Sequence, residues 1–577
     1  MSRRHKVLTN RDRQRMFVWR SRFTLGLMLC CVGALLGRAV QLQVIDHAFL
    51  NDQADARQLR VVRMAAHRGT ITDRHGEPLA VSTPVDSVWA DPGDLINAPE
   101  FIPELAGLLS VDGEALRARL ARNVAKDFLY LRRHMNPQDA QRIMQAGIPG
   151  VHLQREYRRY YPAAQVTGHL IGFANVDEVG QEGIELAFDH RLRGRAGKKR
   201  VLKDRLGRMV EDIERIEAPE PGQTIATSID LRIQYLAFRE LKKAVKQQRA
   251  QSGTAVVVDI RTGEVLAMVN QPSFNPNDRA QFKASRYRNR AITDIFEPGS
   301  SLKPLIMAAA LESGDYTPNS QIDTNPGYLQ VGTKKISDPR NYGRIDLSTI
   351  LARSSNVGAS RIALALEPEH LWQVLADFGL GRPTASGFPG ESAGLLSHHA
   401  NWRSISQATL AYGYGLSVTP LQLAQAYAAL GAGGLQRPVS LVRLSQPPIP
   451  RRIIQPESAD AVLTMMEEVV SPEGTGARAA VPGFRVAGKT GTTQKFMSGG
   501  YSDERYAAIF AGVAPVSSPQ LAVVVVIDEP RAGQYYGGEV AAPVFSRIVE
   551  GATRILAIPP DDLGAPPESS ATVALRQ

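Results

Sequence analysis

The sequence predicts an α+β multidomain protein: a single N-terminal transmembrane helix, an elongated non-catalytic platform, and a larger domain in which helices cover an antiparallel sheet. Three observations carry this. An uncharged apolar stretch follows a basic terminus, two pairs of strand-like runs lie at opposite ends of the region after residue 225, and mainly helical patterns fill the space between them. The chain has 577 residues, 43% apolar and 22% charged, a balance that excludes a wholly disordered or collagen-like polymer.

Residues 1–22 hold eight Arg and Lys side chains against Asp12 alone, a net +7 out of the chain's +11. Phe23–Gly37 then carries no charge, and apolar character resumes beyond Arg38 as far as Val44. Residues 23–45 therefore read as one span, since about 20 residues cross roughly 30 Å of hydrocarbon. The basic side stays in the cytoplasm and everything after about residue 45 is exported. A cleaved secretory signal competes with this reading, but the segment is long and no clear small-x-small cleavage site follows it. The positive charge is thus an orientation signal, which removes nucleic acid from the candidate partners. Cys30 and Cys31 both fall within the span, so the exported portion has no disulfide, zinc knuckle or cysteine nucleophile.

Residues 46–225 mix short apolar runs with glycine-rich turns, as in 67–80 (HRGTITDRHGEPLA) and 177–189 (DEVGQEGIELAFD). No group of His, Cys, Ser or carboxylates there has catalytic spacing, so the segment reads as a spacer or docking platform. A boundary near residue 225 precedes a helical pattern over SIDLRIQYLAFRELKKAVKQQ. TAVVVDI and EVLAMVN, separated by Arg261, Thr262 and Gly263, form a hairpin, and 505–515 with 521–528 form another strand pair. The second domain runs over 226–556. The proline-bearing tail 557–577 is expected to be disordered.

Three motifs in this domain bear chemistry. Ser300 and Lys303 stand three residues apart at the start of an apolar helix, which stacks them on one face. A serine needs a neighbouring base, and a lysine serves only if desolvation or another cation lowers its pKa. Ser354 and Asn356 lie in a short polar break, where hydroxyl and amide can point into one cleft. Lys489, Thr490, Gly491 and Thr492 precede the terminal strand pair. Gly491 would leave room for an extended substrate along a strand edge, the lysine and hydroxyls would hold a carboxylate, and Lys489 would be a second cation near Lys303. Each motif alone also fits a capped helix or a strand end; together they support one another.

This set, in this order, resembles the penicillin-binding proteins and serine β-lactamases. The resemblance to class B penicillin-binding proteins runs from the anchor to about residue 555 and includes RGTITDRHGEPLA and GQEGIE in the platform. RNRAITDIFEPGSSLKP (288–304) and AYGYGLSVTPLQLAQAYAAL (411–430) are most similar to the cell-division type. The resemblance implies a β-lactamase/transpeptidase-like domain and a platform of the dimerisation type. It implies that Ser300 attacks the carbonyl between the terminal D-alanines of a peptidoglycan stem peptide, and that an amine of a neighbouring stem resolves the acyl-enzyme to give a 4→3 cross-link. Lys303 would be the base, Ser354 the proton relay, and Asn356 the group holding the substrate amide or Lys303. Lys489, Thr490 and Thr492 would orient the donor carboxylate, with the oxyanion between the N–H groups of Ser300 and Thr492. β-Lactams would trap Ser300. No metal or organic cofactor is implied. The platform lacks the Glu-Asp-x-x-Phe-x-x-His signature of a fused glycosyltransferase, so glycan polymerisation falls to a SEDS-family partner of the FtsW type within the division complex, at the septum of the bacterial inner membrane. A β-lactamase would need a means of hydrolysing the acyl-enzyme, a carboxypeptidase differs only in using water, and a non-catalytic receptor or scaffold has no need of four such residues.

Overall fold

The computed structural model describes residues 10–47, 59–64, 66–203, 209–278, 280, 283–497 and 500–562. Helix α1 (Asn10–Val40) continues into a π-helical turn, Gln41–Ile45. Within it, Phe17–Ile45 is long and apolar enough to cross a membrane, with a mean hydropathy of 1.9 in its most apolar stretch and none of that stretch buried against the rest of the chain. The helix starts well before Phe23, where the expected span began. Trp19 stacks on Phe23 one turn away, so the apolar surface extends back past Arg20 and Arg22.

The platform holds two sheets. Strands β1 (Leu59–Met64), β6 (Gly197–Lys203) and β7 (Met209–Glu217) pair antiparallel in the order β1-β6-β7. The second sheet is centred on the 13-residue strand β3 (Pro78–Ala90), which pairs with β2 (Ile71–Thr72), β4 (Leu129–Met135) and β5 (Val151–Tyr160). Strand β8 (Ile225–Ala226) adds to β2 in parallel. Just beyond it, Thr227 N–H and Ser228 N–H donate to Thr72 and Leu441 carbonyls respectively, which ties the platform to the second domain by backbone bonds.

A buried ion cluster fastens the platform loops. Arg68 reaches Glu185 at 2.6 Å and Asp189 at 2.8 Å, and Arg159 reaches Glu185 at 2.6 Å. The side chains of Arg68, Arg159 and Glu185 are at most 1% exposed. Glu185→Ala would leave two guanidinium groups buried without their shared carboxylate. We expect it to cost about 3–5 kcal/mol of unfolding free energy, read as a lower denaturant midpoint of the full chain in detergent.

The second domain is built on a five-stranded antiparallel sheet. Its strands are β9 (Ser252–Asp259), β10 (Val265–Gln271), β11 (Ala487–Met497), β12 (Gly500–Ala514) and β13 (Leu521–Asp528), in the order β10-β9-β13-β12-β11. Both faces are covered, which is why these strands read as continuous apolar runs. Val256, Val258, Ala522 and Val524 face one core, beneath α3 (Lys303–Glu312) and α6 (Pro420–Gly431). Ala255, Val257, Val523 and Val525 face the other, beneath α2 (Leu231–Gln247) and α7 (Ala542–Ile555). Between α3 and α6 lie α4 (Leu347–Arg353) and α5 (Asn356–Ala365).

The expected disorder of the tail does not hold at its start. Ile558 is buried, and the Asp561 carboxylate accepts hydrogen bonds from Arg485 N–H at 2.7 Å and from the Ser517 hydroxyl at 2.8 Å. These contacts offset the ordering entropy that composition alone would leave unopposed. Residues 563–577 lie outside the described residues.

Candidate active site

Sheet order puts β11 at an edge, next to β12 only. The turn bearing Ser300 docks directly on that edge. Gly299–Leu302 is a 3₁₀ turn, and α3 begins at Lys303 with Pro304 in its first turn, where a missing N–H costs least. A Cβ on Gly491 would stand 2.8 Å from the Pro298 carbonyl oxygen, and one on Gly299, whose φ is +58°, would stand 2.4 Å from Thr493 Cγ2. Gly491 is therefore required by the approach of the serine turn itself, a physical reason different from the expected open strand edge. On the other side, Gly413, with φ +81°, would place a Cβ 2.1 Å from the Gly299 carbonyl oxygen. The buried Tyr427 hydroxyl donates to the Ser301 carbonyl at 2.7 Å. Both belong to the stretch 411–430, so that segment serves to seat the serine turn.

The expected residues come together. Lys303 is fully buried, and its Nζ donates to the Ser354 carbonyl oxygen at 2.6 Å and to Asn356 Oδ1 at 2.8 Å and stands within hydrogen-bond reach of Ser354 Oγ at 3.2 Å. Lys489 is also fully buried, and its Nζ donates to Ser354 Oγ at 3.1 Å and to Thr490 Oγ1 at 3.2 Å. The Ser354 hydroxyl thus bridges two amines that are 186 positions apart in the chain. Ser354 closes α4 in a left-handed conformation with φ +57°, a strain of about 1–3 kcal/mol for a non-glycine residue. Ser300 is half-buried and lines the cleft with Asn356, Thr490 and Thr492. Its hydroxyl has no hydrogen bond among the described residues; Lys303 turns instead to Ser354 and Asn356, so the expected serine–lysine contact is not closed in this state. Thr492 Oγ1 accepts from Gly537 N–H at 3.0 Å, and Thr490 Oγ1 meets Thr475 Oγ1 at 3.1 Å.

The electrostatics favour a neutral Lys303. Burial is the main cause that holds its amine well below the ordinary lysine value; the Lys489 charge acts in the same direction, and Asp338 opposes both. Burial alone lowers Lys489 to about 7.

Sequence reasoning missed Asp338. Its Oδ1 accepts from Asn356 N–H at 2.6 Å and Val357 N–H at 3.1 Å, and its Oδ2 accepts from the Ser355 hydroxyl at 2.5 Å. It caps α5 from a distant hairpin (Tyr328–Val331 with Lys334–Ser337) and so fixes where Asn356 points. Nothing in its local spacing marks it, because its partners are 17 to 19 residues away. Asp338→Ala should cost about 1–3 kcal/mol, the penalty for unmet buried donors, and slow acylation by a β-lactam about tenfold. Stopped-flow acylation beside a thermal melt checks both.

Comparison with known proteins shows the family and the two-domain fold. The family described as "Penicillin binding protein transpeptidase domain" matches residues 253–550, and the "Penicillin-binding Protein dimerisation domain" matches 63–227. The chain is 45% identical over 551 residues to the "Peptidoglycan D,D-transpeptidase FtsI" of Escherichia coli strain K12, covering 94% of this chain and 93% of that one. Among solved structures, the apo transpeptidase domain of Burkholderia pseudomallei penicillin-binding protein 3 is 43% identical, with a TM-score of 0.54 over 58% of this chain and 97% of its own. A peptidoglycan synthetase from Bifidobacterium adolescentis, 23% identical, shares the fold across both domains, with a TM-score of 0.70 over 88% of this chain and 98% of its own.

Proposed function

The chain belongs to the class B penicillin-binding proteins and is a serine-type peptidoglycan D,D-transpeptidase; on that premise we propose that Ser300 is its nucleophile and that it cross-links stem peptides at the division septum. One observation carries the assignment: a fully buried Lys303 amine held by Ser354 and Asn356 beside a second buried lysine. Ser300 Oγ attacks the carbonyl between the two terminal D-alanines, and its proton passes to the neutral Lys303. The tetrahedral oxyanion lies between the N–H groups of Ser300 and Thr492. Ser354, bonded to both lysines, hands a proton to the departing amine. The donor carboxylate rests on Lys489, Thr490 and Thr492, while Asn356 holds the substrate amide. A β-lactam enters as the donor does and remains on Ser300.

The basic terminus supports a cytoplasmic N-terminus with the two folded domains in the periplasm. The resemblance to class B penicillin-binding proteins, together with the missing glycosyltransferase signature in the platform, supports a SEDS-family glycosyltransferase of the FtsW type as the polymerising partner. The test is benzylpenicillin labelling followed by intact-mass analysis and peptide mapping. A stable adduct on the peptide containing Ser300 is expected. Attachment elsewhere overturns the site, and rapid turnover of penicillin overturns the transpeptidase reading in favour of a β-lactamase.

A further inference from the structure

A cavity of about 300 Å³ lies under the segment that leads into the serine turn, outside the catalytic cleft. Its roof is residues 294–297, which run on into Pro298, Gly299 and Ser300. Its floor is the main sheet, through Gly253 and Thr254 of β9, Ala507 of β12 and Val526 of β13. None of Ser300, Ser354, Asn356, Lys489, Thr490 and Thr492 lines it. It shares Gln494 alone with the tyrosine-walled side of the cleft at Ser300, and no residue with the side that holds Ser354. Ile295 and Phe496, both exposed, stand at its mouth. An apolar cavity of about 150 Å³ already takes up benzene, so this space admits a ring and a polar group together.

Most polar groups around it are paired. Lys495 Nζ meets Asp528 at 2.9 Å and Glu529 at 3.0 Å, Arg288 meets Asp294 at 2.8 Å, and the Thr254 hydroxyl donates to Asn270 at 3.0 Å. Arg290 and Ser417, which also line the cavity, differ. The Arg290 side chain is 13% exposed, and its Nη2 donates to the Ser285 carbonyl at 3.0 Å. Its buried Nη1 has no hydrogen-bond partner among the described residues, and neither has the buried Ser417 Oγ. A buried donor on a charged group is costly to leave unpaired, so both atoms call for an acceptor. The lining charges decide its kind. Two cations, Arg290 and Lys495, face three carboxylates, Asp294, Glu297 and Asp528. An anion would enter an acidic surplus, so a neutral carbonyl is favoured.

We propose that this cavity is a second ligand site, that its ligand is a small neutral amide bearing one apolar group, and that occupancy slows acylation of Ser300. The amide carbonyl accepts from Arg290 Nη1 and Ser417 Oγ, while the apolar group lies on Gly253, Ala507 and Val526. The coupling runs through the roof. Phe296 and Val418 exchange backbone hydrogen bonds at 3.0 and 2.9 Å, and the Glu297 carboxylate accepts from Gly415 N–H at 2.8 Å and from the Tyr501 hydroxyl at 3.0 Å. In this arrangement Lys303 turns to Ser354 and Asn356, away from the Ser300 hydroxyl. A ligand packed between roof and sheet holds that arrangement and opposes the shift that closes the serine–lysine pair. This last step rests on Ser300 as the nucleophile; the site itself does not.

The test uses the full chain in detergent with two probes of equal shape, N-acetyl-L-phenylalaninamide and the carboxylate N-acetyl-L-phenylalanine, read by calorimetric titration and by the rate of benzylpenicillin acylation. The amide should bind saturably, and should still bind once Ser300 carries penicillin. At saturation it should slow acylation about fivefold, the lower end of coupling between sites, and the rate should level off above zero. The carboxylate should bind about tenfold more weakly. Arg290→Gln should weaken the amide about tenfold, as for loss of a hydrogen bond to a charged donor. Ala507→Leu, which fills the floor and leaves Arg290 in place, should abolish binding. The proposal is overturned if the wild type binds neither probe, if the carboxylate binds as well as the amide, or if penicillin on Ser300 excludes the probe. It is equally overturned if Ala507→Leu binds as the wild type does, or if the bound amide leaves acylation unchanged. Failure of the nucleophile assignment looks different: the penicillin adduct maps to another peptide while the binding results stand.

Discussion

Ser300→Ala should abolish the covalent penicillin adduct and lower transpeptidation by at least about 10⁴-fold, the scale on which loss of a nucleophile acts. The geometry makes this a clean substitution. Ser300 is half-buried and its hydroxyl makes no hydrogen bond among the described residues, so its removal should shift unfolding by no more than about 0.5 kcal/mol. The neighbouring Ser301 provides the contrast. It is fully buried and its Oγ donates to the Pro298 carbonyl at 2.6 Å. Ser301→Ala should therefore cost about 1 kcal/mol of stability yet retain the adduct. Fluorescent-penicillin labelling of the two variants, with thermal melts alongside, separates chemistry from folding. A labelled Ser300→Ala protein, or one that sustains division as the wild type does, would leave the serine without its proposed role and favour a scaffold.

What could be read from the chain followed from local physics. The hairpin around Arg261–Gly263, the strand pair ending at Asp528 and the apolar helix after Lys303 are each encoded by contiguous residues, and each appears. The convergence of Ser354 on Lys303 and Lys489 is not local. It depends on a left-handed turn at a non-glycine residue and on Asp338, whose carboxylate reaches over from a hairpin to cap α5. Neither leaves a periodic trace. Gly491 shows the limit of chemical reasoning about a motif: it was expected to make room for substrate, whereas the space it leaves is taken by the Pro298 carbonyl. The platform motifs were legible as a resemblance only. Arg68 and Glu185 meet 117 residues apart in a cluster with Arg159, and a single sequence gives no means of pairing buried charges across that separation.

Lys303→Met, a neutral side chain of similar length, should slow acylation about 10²–10⁴-fold, the usual contribution of a positioned base, without unfolding the protein. The reason lies in the cost of the native arrangement. The folded chain holds both amines below their ordinary value of 10.5, Lys303 well below it and Lys489 at about 7. Between about pH 7 and 10.5 the unfolded chain binds more protons at Lys489 than the folded one does. Stability should therefore rise with pH across that window, and the penalty is present in full below about 7. Methionine removes Lys303 from this balance and should melt no lower than the wild type while losing activity. On the roles proposed above, the same two lysines should set the pH profile of acylation. The rate should climb as Lys303 loses its proton and fall as Lys489, proposed to hold the donor carboxylate as a cation, loses its own near 7, the two limbs belonging to the pair as a coupled system. Lys489→Arg keeps a permanent charge at that position, so its falling limb should move to higher pH even if its maximal rate drops. A wild-type profile flat from pH 6 to 9, or a Lys303→Met protein that acylates within threefold of the wild-type rate, would show that another group takes the serine proton.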